Sequence, residues 1–351
     1  MTDKTIPFSL NCPTSTSDDI IRLAHGGGGR LMQQLLRDLI VPTLGNTSLT
    51  SQHDAAVVEI GSKRCAFTTD SYVVRPRFFP GGDIGSLSIN GTLNDLAMSG
   101  ARPLWLSVGL IIEEGLSKTE LQRVLNSMRT AADAAGVAIV TGDTKVVDRG
   151  AGDGLYINTS GIGIIEHAVD IHPRNVQAGD AVIVSGDLGR HGIAIMAARE
   201  SLNFEPAIES DCADLSGLVR ALLDAGVRPH CLRDITRGGL AAVLNEIAEA
   251  ARCMIEIDEL QIPLDEPVAN ACELLGLDPL HIPCEGRMAI FVAQNHVAHA
   301  LEILRTHPLG KNSTRIGACA ATKNPEVILR SRVGSTRILD LPAGELLPRI
   351  C

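Results

Sequence analysis

Apolar positions along the chain follow two different periods. Continuous apolar runs at 55–60, 65–69, 104–112, 137–140 and 155–165 read as strands buried on at least one face. Helical spacing appears between them, first over 31–40 behind the glycines 26–29. It returns at Leu87, Leu93, Leu96 and Met98, behind the turn Gly81-Gly82-Asp83. Ser117, with Glu120 three residues on, predicts a capped helix that stops near Gly136. Turn chemistry at His172-Pro173 and Gly179-Asp180 then interrupts the pattern. It restarts with a strand at 181–185, a glycine loop and a helix over 192–199. Another helix follows Thr236-Arg237-Gly238-Gly239 through Leu240, Val243, Leu244 and Ile247, with strands near 254–257, 288–292 and 327–329. Strands and helices alternate less regularly than in a doubly wound sheet, which predicts two α+β domains. The expected divisions are a polar arm over 1–20, a first domain over 21–168, a second over 169–340 and a mobile tail over 341–351. No repeat between the halves is visible, and the tail after Pro342 holds too few apolar residues to pack as an element.

Composition narrows the class. Hydrophobic residues make up 45% of the chain but aromatics only 3%, so the core must be built from Ala, Val, Ile and Leu. No apolar run approaches the ~18 residues of a membrane span. The segment 1–19 lacks the basic and apolar regions of a secretory signal. A net charge of −10 argues against a nucleic-acid surface, which needs a basic footprint, but not against a nucleotide held through a metal. The nine cysteines are odd in number and none form C-x-x-C, so neither a zinc site nor a disulfide framework is indicated and a reducing cytoplasm is expected. Cys65, Cys231 and Cys253 sit in apolar stretches and read as small core residues.

Several acids stand at the ends of apolar runs: Asp54, Asp70, the pair Asn94-Asp95, and Asp143. Strand ends commonly face a ligand crevice. Carboxylates converging there repel one another unless a cation sits between them, and a hard cation also takes phosphate oxygens. Taken singly, each acid reads more readily as an ordinary turn residue or helix cap. Gly26–Gly29 can cradle phosphates or form a hinge, and no P-loop pattern is present. Lys145 shares a strand face with Asp143, to steady phosphate charge or to pair with the acid. Asp234 precedes two glycines, with Thr236 as the candidate helix cap. Glu285, in Cys284-Glu285-Gly286-Arg287, reads as a base or a solvated turn acid. His25, His53 and His191 are not at metal-ligand spacing and stay unassigned. The last residue, Cys351, is a thiol on a short tail, suited to carrying a small group.

Taken together, these segments resemble the HypE family of hydrogenase maturation proteins, the carbamoyl dehydratases. The resemblance rests on Thr69 to Val74, Phe79 to Gly85, Asn94-Asp95-Leu96-Ala97, Thr141 to Val147, Arg233 to Leu240 and the closing Pro348-Arg349-Ile350-Cys351. It runs from about His25 to the last residue, and P-R-I-C is its most specific part. Two elements are also similar to the wider superfamily of aminoimidazole ribonucleotide synthetase and selenophosphate synthetase. Cys284 stands where the family's asparagine is expected, and Arg287 where lysine is common.

The resemblance implies a two-domain PurM-like fold, an N-terminal mixed sheet pairing in a homodimer, and MgATP held mainly by the first domain. It implies Asp54, Asp70, Asp95 and Asp143 as Mg²⁺ ligands, with Asn94, Gly142, Thr144 and Asp234 around the nucleotide. It further implies that Cys351 receives a carboxamide from carbamoyl phosphate through HypF. ATP then drives dehydration to a thiocyanate, with Lys145 and Glu285 assisting, and cyanide passes to iron on the HypC–HypD complex for the [NiFe]-hydrogenase centre. An extended 341–351 segment spans at most ~36–40 Å, enough to swing between a buried nucleotide and an outside donor. Two alternatives stay open. One is a small-molecule synthetase or kinase of the same superfamily, although Gly26–Gly29 carries no cysteine of the selenophosphate synthetase kind. The other is a non-catalytic ATP-responsive adaptor.

Overall fold

The computed structural model describes residues 20–46, 49–51, 53–341, 347 and 349–351. The polar arm therefore lies outside the described residues except for Ile20, as do Pro342 and Pro348. Helical turns run unbroken from α1 (Arg30–Leu35) through a π segment (Leu36–Ile40) to α2 (Val41–Leu44). The first domain then follows as β1 (Ala56–Ile60), β2 (Lys63–Tyr72), β3 (Phe78–Phe79), β4 (Gly82–Asp83), α3 (Ile84–Met98), β5 (Arg102–Glu113), α4 (Lys118–Ala135), β6 (Ala138–Val147) and β7 (Leu155–Ile165). The second contains β8 (Ala181–Val184), α5 (Arg190–Glu200), α6 (Ser216–Asp224), β9 (Pro229–Asp234), α7 (Gly239–Ala251) and β10 (Cys253–Asp258). It continues with α8 (Glu266–Leu275), β11 (Met288–Val292), α9 (Val297–Thr306), β12 (Thr314–Ala321), β13 (Glu326–Arg330) and β14 (Thr336–Ile338).

The first sheet has the order β1-β2-β7-β5-β6 and is mixed, because only β5 and β6 run parallel. The second has the order β14-β13-β10-β12-β8-β11-β9. The two α+β domains meet on α3, which contacts α4, β2 and β7 of the first domain and α6 and β9 of the second. Its sequence explains this place: Ile84, Leu87, Ile89, Leu93, Leu96 and Met98 are all fully buried, on more than one face. A helix apolar all round is stable only when covered all round, and each such side chain contributes roughly 1.5–3 kcal/mol on burial. Asp83 caps the helix by accepting from the Gly85 and Ser86 backbone N–H groups. Gly91 lets the buried Tyr72 ring lie against the helix backbone.

The other face of the first sheet is uncovered. Phe67, Trp105, Ile111 and Ile162 project from it and are exposed. The edge strand β6 is exposed along nearly its whole length. Strand β6 also extends past the expected 137–140, so Asp143 lies within it and not after it. In the same way β2 runs through Tyr72, placing Asp70 inside the strand.

The tail differs from expectation. It adds no regular element, yet Leu347 and Ile350 are buried in the core that holds α3 and α5. Two apolar side chains suffice because the backbone beyond β2 supplies partners: Val73 N–H donates to a Cys351 carboxyl-terminal oxygen at 3.0 Å and Arg75 N–H to the Arg349 carbonyl at 3.1 Å.

Candidate active site

Three acids converge between the domains. Asp54 immediately precedes the first sheet, Asp95 lies on α3, and Asp234 closes β9. Their carboxylate oxygens lie within 4.8 Å of one another. Thr68 projects from the inner face of β2, its hydroxyl 2.7 Å from Asp95 Oδ2 and 3.0 Å from the Asp54 carbonyl. Arg233 Nε donates to Asp54 Oδ1 at 2.9 Å, and the same guanidinium pairs with Glu246. The other Asp54 oxygen, Oδ2, is buried and accepts no hydrogen bond among the described residues.

The electrostatics follow from this crowding. Burial pushes Asp95 and Asp234 well above the ordinary carboxylate range, and their acidic neighbours add to it: Asp234, Asp70 and Asp54 act on Asp95, and Asp54 and Asp70 on Asp234. One arginine cannot neutralise so many acids. Converging carboxylates with one unpartnered oxygen fit a hard divalent cation, which takes oxygen ligands.

Asp143 and its neighbours are not in this cluster. The register line Ser71–Asn158–Gly109–Asp143 crosses the first sheet, so Asp143 stands three strands from Ser71, roughly 14 Å at ordinary strand spacing. Side chains alternate along a strand, so Asp143 shares the outer face with Ser71 while Asp70 points inward with Thr68 and Tyr72. Within one chain Asp143 cannot share a cation with Asp95. Asp143 pairs at the surface with Lys145 Nζ, 2.9 Å away, which holds its carboxyl below the usual range. Gly142 and Thr144 lie on the same exposed strand.

Asn94 is buried, and its amide is committed to protein. It donates to the Ala213 and Glu285 carbonyls at 3.1 and 3.3 Å and accepts Leu215 N–H at 2.8 Å. Its place in the site is to hold the Glu285 backbone against α3. Glu285 is itself buried, and its Oε1 has no hydrogen-bond partner among the described residues. Burial, then Asp234, Asp70 and Asp211, push its carboxyl well above the usual range, while Arg237 opposes them. Cys284 is a buried thiol whose sulfur accepts Gly189 N–H at 3.2 Å.

Two glycine loops meet beside the acids. Gly28, at positive φ, lies so close to Arg237 that an added Cβ would fall 2.9 Å from the Arg237 carbonyl oxygen. Thr236 does not cap α7; Gly238 takes the cap position in a left-handed conformation. The charge of Cys351 is the largest influence on Arg237, raising its pKa against the opposing effect of burial, and Asp70, Glu285 and Asp95 add to it. The tail thus points inward, with Cys351 packed against the core between the domains.

Residues the sequence left without a role enter here. Arg233 and Arg237 were part of a recognised segment, but nothing local marks one as a carboxylate partner and the other as a cation under the influence of the Cys351 charge. Thr68 is an ordinary strand residue by pattern. His191 is fully buried, and its Nε2 lies 2.8 Å from the Ile350 carbonyl.

Comparison with known proteins agrees with this architecture. Residues 52–165 match the AIR synthase related protein N-terminal domain, and residues 177–330 the corresponding C-terminal domain. The carbamoyl dehydratase HypE of Escherichia coli strain K12 is 48% identical over 337 residues, covering 94% of this chain and 99% of that protein. A crystal structure of a HypE–HypF complex superposes with a TM-score of 0.84 at 42% identity, covering 88% of this chain and 99% of that one. A crystal structure of HypE with ATP superposes with a TM-score of 0.80 at 43% identity, covering 95% and 100%. Family matches across both domains, together with this identity along nearly the full length, make the chain a member of the HypE family of AIR synthase related proteins.

Proposed function

We propose that this chain is an ATP-dependent carbamoyl dehydratase acting on a carboxamide carried by its own Cys351 sulfur, and that the product thiocyanate supplies the cyanide ligand of a [NiFe]-hydrogenase iron. The observation that carries the reading is the inward tail, with Cys351 packed against the core between the domains, its oxygen held by Val73 N–H and its charge acting on Arg237. A related HypE binds ATP and another binds HypF, which supports ATP as co-substrate and a HypF-type transferase as donor. A HypC–HypD type complex is the acceptor in this reading, and the cytoplasm, where carbamoyl phosphate and ATP are available, is the compartment.

An amide oxygen is a poor leaving group. Transfer of the γ-phosphoryl group to it releases ADP and gives an O-phosphorylated imidate. Loss of the remaining N–H proton and of phosphate then forms the nitrile, so thiocarboxamide and ATP become thiocyanate, ADP and phosphate. Magnesium bound at the site would neutralise phosphate charge. Asp54, Asp95 and Asp234 would hold it, with Asp70 beside them. Arg237 balances the negative charge that builds up at the carboxamide oxygen. Glu285 takes protons from nitrogen, and burial raises its proton affinity.

Asp143, Lys145, Gly142 and Thr144 enter this scheme through a second copy. The uncovered sheet face with Phe67, Trp105, Ile111 and Ile162 supports a homodimer joined there, which would bring strand β6 of one copy toward the nucleotide of the other. Phosphate release in the presence of carbamoyl phosphate, transferase and ATP tests the reading. Cys351→Ser should abolish release that depends on a loaded tail, whereas a small-molecule kinase would retain full turnover.

A further inference from the structure

His191 lies in the first turn of α5 and is fully buried, yet no step above uses it. Its ring is held on three sides. Phe79 meets it edge-on, with centroids 5.5 Å apart and planes at 88°. Ser210 Oγ lies 2.8 Å from Nδ1, and the Ile350 carbonyl lies 2.8 Å from Nε2. Burial disfavours the charged imidazolium and keeps the ring neutral. A carbonyl oxygen can only accept, so the single ring proton sits on Nε2 and Nδ1 accepts the Ser210 hydroxyl. Ser210 Oγ also accepts Cys212 N–H at 3.1 Å, which leaves its own proton directed at the imidazole.

Each of the last three carbonyl groups therefore has a donor. Arg75 N–H and Arg199 Nη2 serve Arg349, at 3.1 and 2.9 Å, Val73 N–H serves Cys351, and His191 serves Ile350. The two backbone donors, Val73 and Arg75, repeat every second residue. These two bonds hold the tail without building a strand ladder, because Arg349 is left-handed at φ 57°. Side-chain contacts fix where the chain lies: Arg199 on the Arg349 carbonyl, Asp153 on the Arg349 guanidinium, and His191, the buried donor of the set, on Ile350. Leu347 adds to them by packing over Gly192 next to His191.

We propose that His191 is a positioning residue for the tail: its Nε2–H on the Ile350 carbonyl sets the register at which the Cys351 sulfur meets the site. The proposal rests on the dehydratase reading for its consequence, but its geometry is testable without the reaction. The pair to compare is His191→Phe, which keeps a ring and removes the donor, and His191→Gln, which keeps an N–H at similar reach. The first readout is iodoacetamide labelling of Cys351 in the full chain, followed by intact mass against a Cys351→Ser blank. His191→Phe should label about ten-fold faster, the factor expected for losing one buried hydrogen bond, and His191→Gln within about three-fold of the parent. The second readout separates the half-reactions. Loading by the transferase should proceed at least as fast in His191→Phe, while single-turnover water loss from the loaded tail slows about ten-fold. Opposite effects on the two steps distinguish positioning from a general folding defect, which would slow both. If His191→Phe does not fold, Ser210→Ala should shift both readouts in the same directions by a smaller factor. Unchanged labelling in a parent that dehydrates overturns the role of His191 and leaves the dehydratase reading standing. Faster labelling in a parent that never loses water keeps the register role and overturns the reading.

Discussion

At the scale of single residues, the site is a charge problem, because three carboxylates crowd one cluster. Burial and neighbouring acids raise the proton affinity of Asp95 and Asp234 above that of the same groups in the unfolded chain. An unfolded aspartate titrates near pH ~3.9. Above that value the unfolded chain has lost protons the folded chain still binds, so the stability these acids allow is fully present below it and falls as pH rises toward their raised folded values. Thermal melts of chelated protein should therefore show a midpoint that declines from about pH 4 to pH 8. Asp234→Asn should flatten the decline and raise the midpoint at pH 8 by roughly 2–4 °C, about the shift that 1 kcal/mol gives in a domain of ~200 residues. Magnesium should stabilise the parent more at pH 8 than at pH 5 and should not stabilise Asp234→Asn. Asp54 was legible in the sequence as an acid ahead of a strand, Asp95 as an acid on a helix fit for burial, and Asp234 as an acid ahead of two glycines. Asp143 looked equivalent because an apolar run stops before it, but the strand continues through it and strand alternation turns it to the opposite face. Such a difference of face is invisible until register is known.

At the scale of elements, α3 and the first sheet carry the arrangement. An ideal Cβ on Gly91 would lie 2.3 Å from the Tyr72 hydroxyl oxygen, and Tyr72 is fully buried. Gly91→Ala should therefore cost about 1–3 kcal/mol in denaturant unfolding. Tyr72→Phe combined with it should recover part of the loss, since the colliding oxygen is gone. The opposite face of the same sheet makes a different prediction. Trp105 is 50% exposed in the single chain, so Trp105→Asp should leave the chain folded, with the melting midpoint lowered only by the lost dimer contact. Under the proposed homodimer, sedimentation should show the mass of two chains for the parent and of one for the variant. Helices α3 and α4 were readable because their caps, Asp83, Ser117 and Gly136, are local chemistry. Strands β9 and β12 were not. β12 runs Thr-Arg-Ile-Gly-Ala-Cys-Ala-Ala, a weak strand former that is held by pairing with β10 on one side and β8 on the other. β9 starts at a proline and ends in Arg233-Asp234, so its polar residues mask a short buried run.

At the scale of the whole molecule, the two domains build one site on either side of α3, and the tail closes it. The family was readable from short segments spread along the chain. The tail's packing was not, because Leu347 and Ile350 find their pockets on α5 and the second domain, far away in sequence. The two-domain α+β fold follows from alternating strand and helix patterns. The meeting of Asp54, Asp95 and Asp234 follows from how β9 docks on α3, which no local pattern encodes. The most direct test follows the mass of the intact chain after incubation with carbamoyl phosphate, a HypF-type transferase and MgATP. The account predicts gain of one carboxamide on Cys351, then loss of one water from that same residue only when hydrolysable ATP is present. A chain that gains no carboxamide at Cys351, or one that keeps it unchanged through many equivalents of ATP, would contradict it.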